Sequence, residues 1–288
     1  YNVNTYRGLR NSSAKSFLKP IKNNPNLTIF TKTEVLKLNF NNNKISSLKI
    51  KHKGKILEVK PKIGTILSSG SIMTPYLLLK SGIGNSADLN KFDIPLVLNS
   101  THVGKNFQDH LGLDYLYKTD FPTLNKELGT WSGRIKSFFK YVYNRKGPLA
   151  LSLNQGGGYI NWQSLDPYPN IQLYFNPLTY SVSFKNKRPL LRTDKFNGFI
   201  IGFNSCRPKS LGEVNLKKVD NNYLPSIDPR YLSDERDIHD LYSTFDFVRK
   251  FSSNNNIQNI IKSPVTIDPI NLSDDELLEH FKSNATTI

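Results

Sequence analysis

The sequence predicts a mixed fold: an α/β unit of the doubly wound kind that carries a β-meander, followed by an α+β unit whose antiparallel sheet is accompanied by helices. Three observations predict it. Short β-branched runs alternate with Asn and Gly turns between Asn26 and Ser69, a strand–glycine–helix junction follows at Gly70, and beyond Asn106 isolated strand-like runs precede two amphipathic helices. With 38% hydrophobic and 11% aromatic residues in 288, the chain has enough apolar material for one large domain or two ordinary ones.

The meander is read from the runs beginning at Asn26, Glu34, Leu48 and Ile56. Their connections, Asn41-Asn42-Asn43-Lys44 and Lys53-Gly54, are turns by composition, because Asn and Gly accept positive φ. Ile63-Gly64-Thr65-Ile66-Leu67 is nearly continuous in apolar and β-branched residues and is expected to be a strand buried on both faces. After Gly70 the text is that of a helix start: Thr74 suits the N-cap, Pro75 the first helical position and Gly82 the C-terminal cap. A helix N-terminus at the end of a buried strand is the geometry that receives nucleotides in doubly wound sheets, although many such junctions bind nothing. In the second unit, strands are expected around Ile171–175, Gly198–203 and Glu213–216. One helix is expected from Asp234 to Phe251 and another from Asp274 to Lys282, the latter opening on the capping-box spacing Ser273 to Glu276.

The formal net charge of +16 raises nucleic acid as a partner, but the lysines are scattered singly through strands and loops, with no basic run, so a solvated surface explains them. A single cysteine, Cys206, excludes an internal disulfide and a thiolate metal site, and no stretch approaches the roughly 18 apolar residues that span a bilayer. Five Asn-x-Ser/Thr sequons would be glycosylated in a secreted protein, yet an Asn-rich chain supplies that many by chance. His102 and His110 lack a third ligand at sensible spacing. His52, His239 and His280 read as solvated. Asn154-Gln155-Gly156-Gly157-Gly158 lacks the Lys-Ser/Thr of a phosphate loop and reads as a flexible turn. Tyr159, Trp162, Tyr174 and Phe175 are read either as cavity lining or as core.

The stretch Gly70-Ser-Ile-Met-Thr-Pro-Tyr-Leu-Leu-Leu-Lys-Ser-Gly-Ile-Gly84 resembles the second signature of the glucose-methanol-choline (GMC) oxidoreductases. Twenty residues on, Val103-Gly-Lys-Asn-Phe-Gln-Asp-His110 resembles that family's Val-Gly-x-Asn-Leu-x-Asp-His loop. Gly8–14 is similar to the family segment that leads into the meander, and Arg207–214 and Pro225–232 are similar to segments of its substrate domain, most like the insect glucose dehydrogenase branch. The resemblance implies that residues 1–105 are part of an FAD-binding doubly wound domain and that residues 106–288 form a substrate-binding domain. It also implies oxidation of an alcohol or sugar CH–OH group, with hydride passing to the flavin and oxygen or quinone as electron acceptor.

By the same resemblance, Val35 contacts the adenine of FAD through its backbone, and Gly70 and Thr74 lie beside the cofactor. Strand, turn and cap chemistry explains these three residues equally well. The family's Gly-x-Gly-x-x-Gly turn does not occur in the sequence, and its catalytic histidine is expected just after Ile288. Residues 1–288 are therefore expected to be an internal piece with no activity and no FAD of its own. His110 belongs to a loop that is structural in the family. The insect-type resemblance implies a secreted protein. The alternative is a noncatalytic family member with a binding or structural role.

Overall fold

Two pairs of residues with positive φ, Asn42 and Asn43 (47° and 62°) and Lys53 and Gly54 (48° and 87°), fold the first part of the chain into consecutive hairpins. Both central residues of each turn are left-handed, which matches the twist of the flanking strands. The computed structural model describes residues 4–183 and 190–287. In chain order its main elements are β1 (Thr33–Asn41), β2 (Lys44–His52), β3 (Lys55–Val59), α1 (Gly70–Lys80), β4 (Lys105–Phe107), β5 (Leu111–Lys118) and α2 (Trp131–Asn144). They continue as β6 (Gly156–Ile160), β7 (Ile171–Asn176), β8 (Gly198–Ser205), β9 (Gly212–Val219), β10 (Asn222–Asp228), α3 (Glu235–Ser252), β11 (Ser263–Pro264), α4 (Asp274–Asn284) and β12 (Thr286–Thr287).

These elements fall into two units that are discontinuous in sequence. The first comprises Asn23–Asp109 with Lys209–Asp234, and the second comprises the chain up to Lys22, His110–Pro208 and the chain from Glu235 onward. The chain comes back to the first unit with β9 and β10. That return has a packing cause. Tyr76, Leu79, Leu89, Ile94 and Leu216 form one buried cluster, with Phe92, Val103 and Tyr223 against it. The Tyr76 hydroxyl donates to the Tyr223 carbonyl (2.6 Å), and the Tyr223 hydroxyl donates to the Phe92 carbonyl (2.7 Å).

In the first unit β1, β2 and β3 form the expected antiparallel meander, with bulges in β1 between Val35 and Lys37 and between Asn39 and Phe40. A second sheet runs β10–β9–β4. Two expectations fail here. The Asn26–Phe30 run forms no strand. Nor do residues 63–67, where Ile63 and Ile66 are exposed. A strand buried on both faces needs neighbours in its sheet and a layer on each side; among the described residues no strand pairs with this run.

The helix also starts earlier than its text suggests. α1 begins at Gly70, whose φ of +87° makes the turn, so Thr74 is not the N-cap and Pro75 lies inside the helix. Lacking an N–H, Pro75 leaves the Ser71 carbonyl without its i+4 donor. Gly82 ends the helix as expected: its φ is +93°, its N–H donates to the Leu79 carbonyl (3.1 Å), and a Cβ would sit 2.4 Å from the Pro95 carbonyl oxygen.

The second unit is built on one antiparallel sheet, in the order β6–β7–β8–β5–β11, with β12 pairing the same strand β5 at its start. One face carries Leu113, Tyr115, Tyr117, Phe199, Ile201 and Phe203, all buried. Leu241, Phe245 and Val248 of α3 and Leu277 and Phe281 of α4 are buried in the same unit, and ring contacts Phe203–Phe247 and Phe245–Phe281 link sheet to helix and helix to helix. The capping box at Ser273 and Glu276 forms in full. Residues 156–160 are a strand rather than a flexible turn, because a Cβ at Gly157 would lie 2.2 Å from the Leu173 carbonyl oxygen and glycine lets β6 close on β7. His280 is not simply solvated: it stacks on Tyr115, and burial pulls its pKa down.

Candidate functional site

A cleft of about 420 Å³ in the first unit is lined by Ser71 and Pro75 of α1, residues 104–108 and Val214 of β9. The two most distinctive segments of the sequence therefore line one depression. Gly104 makes this close approach possible. Its φ is +78°, its carbonyl accepts from the Val214 N–H (2.7 Å), and a Cβ would lie 2.1 Å from the Val214 carbonyl oxygen. Asn106 is also left-handed (φ 58°), which Asn tolerates better than most residues. Lys105 pairs with Glu213, which also receives Arg230 at 3.3 Å, so the rim of the cleft is an ion-pair cluster.

The N-terminus of α1 is the electropositive feature of this region. Ser69 occupies the N-cap but makes no side-chain capping bond, and its own N–H donates to Thr74 Oγ1 (3.0 Å). First-turn amides and the helix dipole favour an anionic oxygen at such an end. Around the missing Cβ of Gly70 the space is open for 4 Å, so a ligand can approach the backbone. Val35 is on β1, the outer strand of the meander, one residue before the bulge, and it does not line the cleft. The Leu38 N–H donates to Ser81 Oγ (3.0 Å), tying β1 to the opposite end of α1. Thus Gly70 and Thr74 share one helix end, and Val35 belongs to a separate edge.

The second unit holds a polar row on the sheet face that does not carry the aromatic core. Gly202 stands in register between Tyr174 and Asp114, and the Tyr174 hydroxyl donates to Asp114 Oδ1 (2.7 Å) across it. A Cβ at Gly202 would meet the Tyr174 ring at 2.0 Å. Burial raises the Asp114 pKa, and the Tyr174 bond opposes that rise. Burial, reinforced by the Asp114 charge, raises that of Tyr174. One row along, Asn204 donates to the Ser205 carbonyl (2.9 Å) and lies 3.3 Å from His110 Nδ1. Asn204 Nδ2 can only donate, so in this contact His110 Nδ1 is the acceptor. Asn176 Oδ1 and Asn204 Oδ1 are buried without a partner.

The aromatics divide between the readings given to them. Phe175 packs on Phe199, Trp162 donates to Asp246 (2.9 Å) and lowers its pKa, Tyr174 serves Asp114, and Tyr159 is exposed. Burial pushes the Cys206 thiol up to about 11, which leaves it a poor nucleophile. No group of three or more metal-ligating side chains occurs among the described residues, and none of their helices is long and apolar enough to cross a membrane. Any residue after Ile288, including the expected catalytic histidine, lies outside the described residues. Sequence reasoning missed Ser71, Asn106 and Asp114. The lone carboxylate in Leu111-Gly-Leu-Asp-Tyr-Leu-Tyr, inside an otherwise apolar strand, was the available signal for Asp114.

A family model described as GMC oxidoreductase matches residues 1–112, and a second, for the C-terminal part of the same family, matches residues 208–288. The chain is 31% identical over its whole length to an alcohol dehydrogenase [acceptor] of Pseudomonas putida, of which it covers 52%. It spans about half the length of the curated relatives it matches. Among solved structures, a formate oxidase superposes with a TM-score of 0.83 at 23% identity, covering 98% of this chain and 53% of that one. An FAD-dependent oxidoreductase from Chaetomium thermophilum superposes at 0.80 and 17% identity, over 97% of this chain and 54% of its own. These likenesses show the fold, and with both family models accounting for most of the sequence, the chain belongs to the GMC oxidoreductase family.

Proposed function

We propose that the chain supplies the meander, the second-signature helix and most of the substrate domain of an FAD-dependent enzyme that oxidises the CH–OH group of an alcohol or sugar. One observation carries this reading: the two signature segments line a single cleft on α1, a helix whose N-terminus has no side-chain cap. The residues present fit an extended dinucleotide. Gly70 leaves room for a phosphate oxygen at the first-turn amides, Thr74 holds the Ser69 backbone beside it, and Val35 offers edge-strand backbone to an adenine ring. Bound flavin would accept hydride from the alcohol carbon. The electron acceptor in this proposal is oxygen or a quinone. The Arg207–214 and Pro225–232 segments support a finer placement near insect glucose dehydrogenase.

The test is expression of the longest reading frame that contains this sequence. Stoichiometric flavin absorbance, bleached anaerobically by an alcohol or sugar and lost in Gly70→Val without loss of circular dichroism, is the expected result. A colourless folded product would sink the cofactor assignment. A yellow product bleached by no member of an alcohol and sugar panel would instead identify the noncatalytic alternative.

A further inference from the structure

Helix α2 presents an apolar stripe to the outside. Its inner side is fixed by Ser137, which is fully buried and donates to Glu127 Oε1 (2.7 Å), and by Gly133, where a Cβ would lie 1.9 Å from the Glu127 carbonyl oxygen. On the other side Trp131, Ile135, Phe138, Phe139, Val142 and Tyr143 are all exposed, Trp131 and Tyr143 by 76% and 77%. The spacing 131, 135, 138, 142 is that of a single helical stripe. The rings are ordered against one another: Phe138 meets Phe139 edge-on at 5.7 Å, and Phe139 stacks on Tyr143 at 6.2 Å. A stripe of six exposed apolar side chains on one helix marks a candidate interaction site.

The charge around the stripe selects its partner. From Thr130 to Lys146 there is no Asp or Glu, whereas Arg134, Lys136, Lys140, Arg145 and Lys146 all occur. The Arg134 guanidinium is engaged by the Leu128 carbonyl and Thr193, and that of Arg145 lies over the Tyr141 ring, so Lys136, Lys140 and Lys146 are the charges left to face outward. A second copy of the chain would oppose basic residues to basic residues across the stripe. An anionic bilayer complements both features at once: rings enter the interfacial layer, and lysines flank them at the headgroups. The helix has 14 residues, about 21 Å at 1.5 Å each, too short for a hydrocarbon core of about 30 Å, so it would lie in the plane of the interface. The hairpin of Thr5–Tyr6 and Leu9–Arg10 meets the end of α2. A Cβ at Gly8 would sit 2.4 Å from the Arg145 carbonyl oxygen, which brings exposed Tyr6 to the end of α2.

We propose that α2 is an interfacial helix by which this protein rests on the surface of an anionic membrane. The sequence has two tryptophans, and Trp162 is held by Asp246, so Trp162→Phe leaves Trp131 as a reporter on the stripe. The chain is mixed with vesicles of phosphatidylcholine alone or with phosphatidylserine added, and cosedimentation and Trp131 emission are read. Binding and a blue shift are expected with the anionic vesicles only, weakening as salt is raised. The double variant Lys136→Glu/Lys140→Glu should bind at least about 25-fold less tightly, at about fivefold for each basic residue removed. Phe138→Ser/Phe139→Ser should abolish binding with circular dichroism unchanged. The proposal is overturned by absence of binding to anionic vesicles at low salt, by binding that neither double variant reduces, or by a self-association that Phe138→Ser/Phe139→Ser abolishes in a chain that ignores vesicles. Shielding of Trp131 from acrylamide in the product of the longer reading frame would overturn it as well, since the stripe would then have a protein cover.

Discussion

Adding one methyl group at Gly202 should cost the sheet unit more than its size suggests. In Gly202→Ala the new Cβ would lie 2.0 Å from the Tyr174 ring and 2.6 Å from Asp114 Oδ1, so the ring must leave its place. The bond from the Tyr174 hydroxyl to the Asp114 carboxyl is lost, worth about 1.5–3 kcal/mol for a charged acceptor, and the displaced ring adds strain of about 1–3 kcal/mol. We expect a loss of about 3–4 kcal/mol, or a fall of about 1–2 M in the urea midpoint at a slope of about 2–3 kcal/mol/M. Trp131 and Trp162 both belong to this unit, so tryptophan fluorescence follows its unfolding selectively. In a Tyr174→Ala background the ring is gone and only the Asp114 carboxyl, released from its Tyr174 bond, has to move from 2.6 Å, so the same Gly202→Ala change should cost under about 1 kcal/mol. The coupling between the two sites should therefore exceed about 2 kcal/mol. Equal costs in the two backgrounds would refute the argument that the ring position is what makes residue 202 a glycine.

Other expectations follow from the same structure. Gly104→Ala combines φ +78° with a 2.1 Å approach to the Val214 carbonyl and should destabilise its unit by about 2 kcal/mol or more, read as faster amide exchange in residues 70–80 and 212–219 with residues 235–252 unchanged. Burial raises the Asp114 pKa, so this carboxyl contributes most to stability below its ordinary value of 3.8 and less as pH rises through its folded-state value. Asp114→Asn should flatten the decline in urea midpoint that the parent shows from about pH 4 upward, and an unchanged slope would contradict this. Ser273→Ala removes the capping box of α4 and should cost about 1 kcal/mol by the same assay. With its pKa near 11, Cys206 should react sluggishly with maleimide at neutral pH in the folded chain and much faster once urea unfolds it.

What the sequence made legible was mostly local. Asn42-Asn43 and Lys53-Gly54 announce their own turns, Ser273 with Glu276 announces a helix start, and the 3.6-residue spacing of Leu241, Phe245 and Val248 announces a buried face. The features that were misread depend on partners far away in the chain. Ile63 and Ile66 look like core residues by type, but burial is a property of neighbours, and none of the described strands pairs with that run. Gly156–158 reads as a flexible turn until Leu173 is seen to need the space. Of the cleft, both motifs were evident in the sequence. That they meet was not, because the meeting is arranged by Val214, more than a hundred residues later, against Gly104.

That late arrival of β9 and β10 has a consequence for how the protein is made. During synthesis, α1 emerges with Tyr76 and Leu79 already in place, while Leu216 and Tyr223, which complete its cluster, are still untranslated. At about 5–20 residues per second, the roughly 140 residues between Leu79 and Tyr223 take about 7–28 s, during which only Leu89, Phe92, Ile94 and Val103 cover that apolar surface. The nascent first unit is thus a natural client for a chaperone at the ribosome exit.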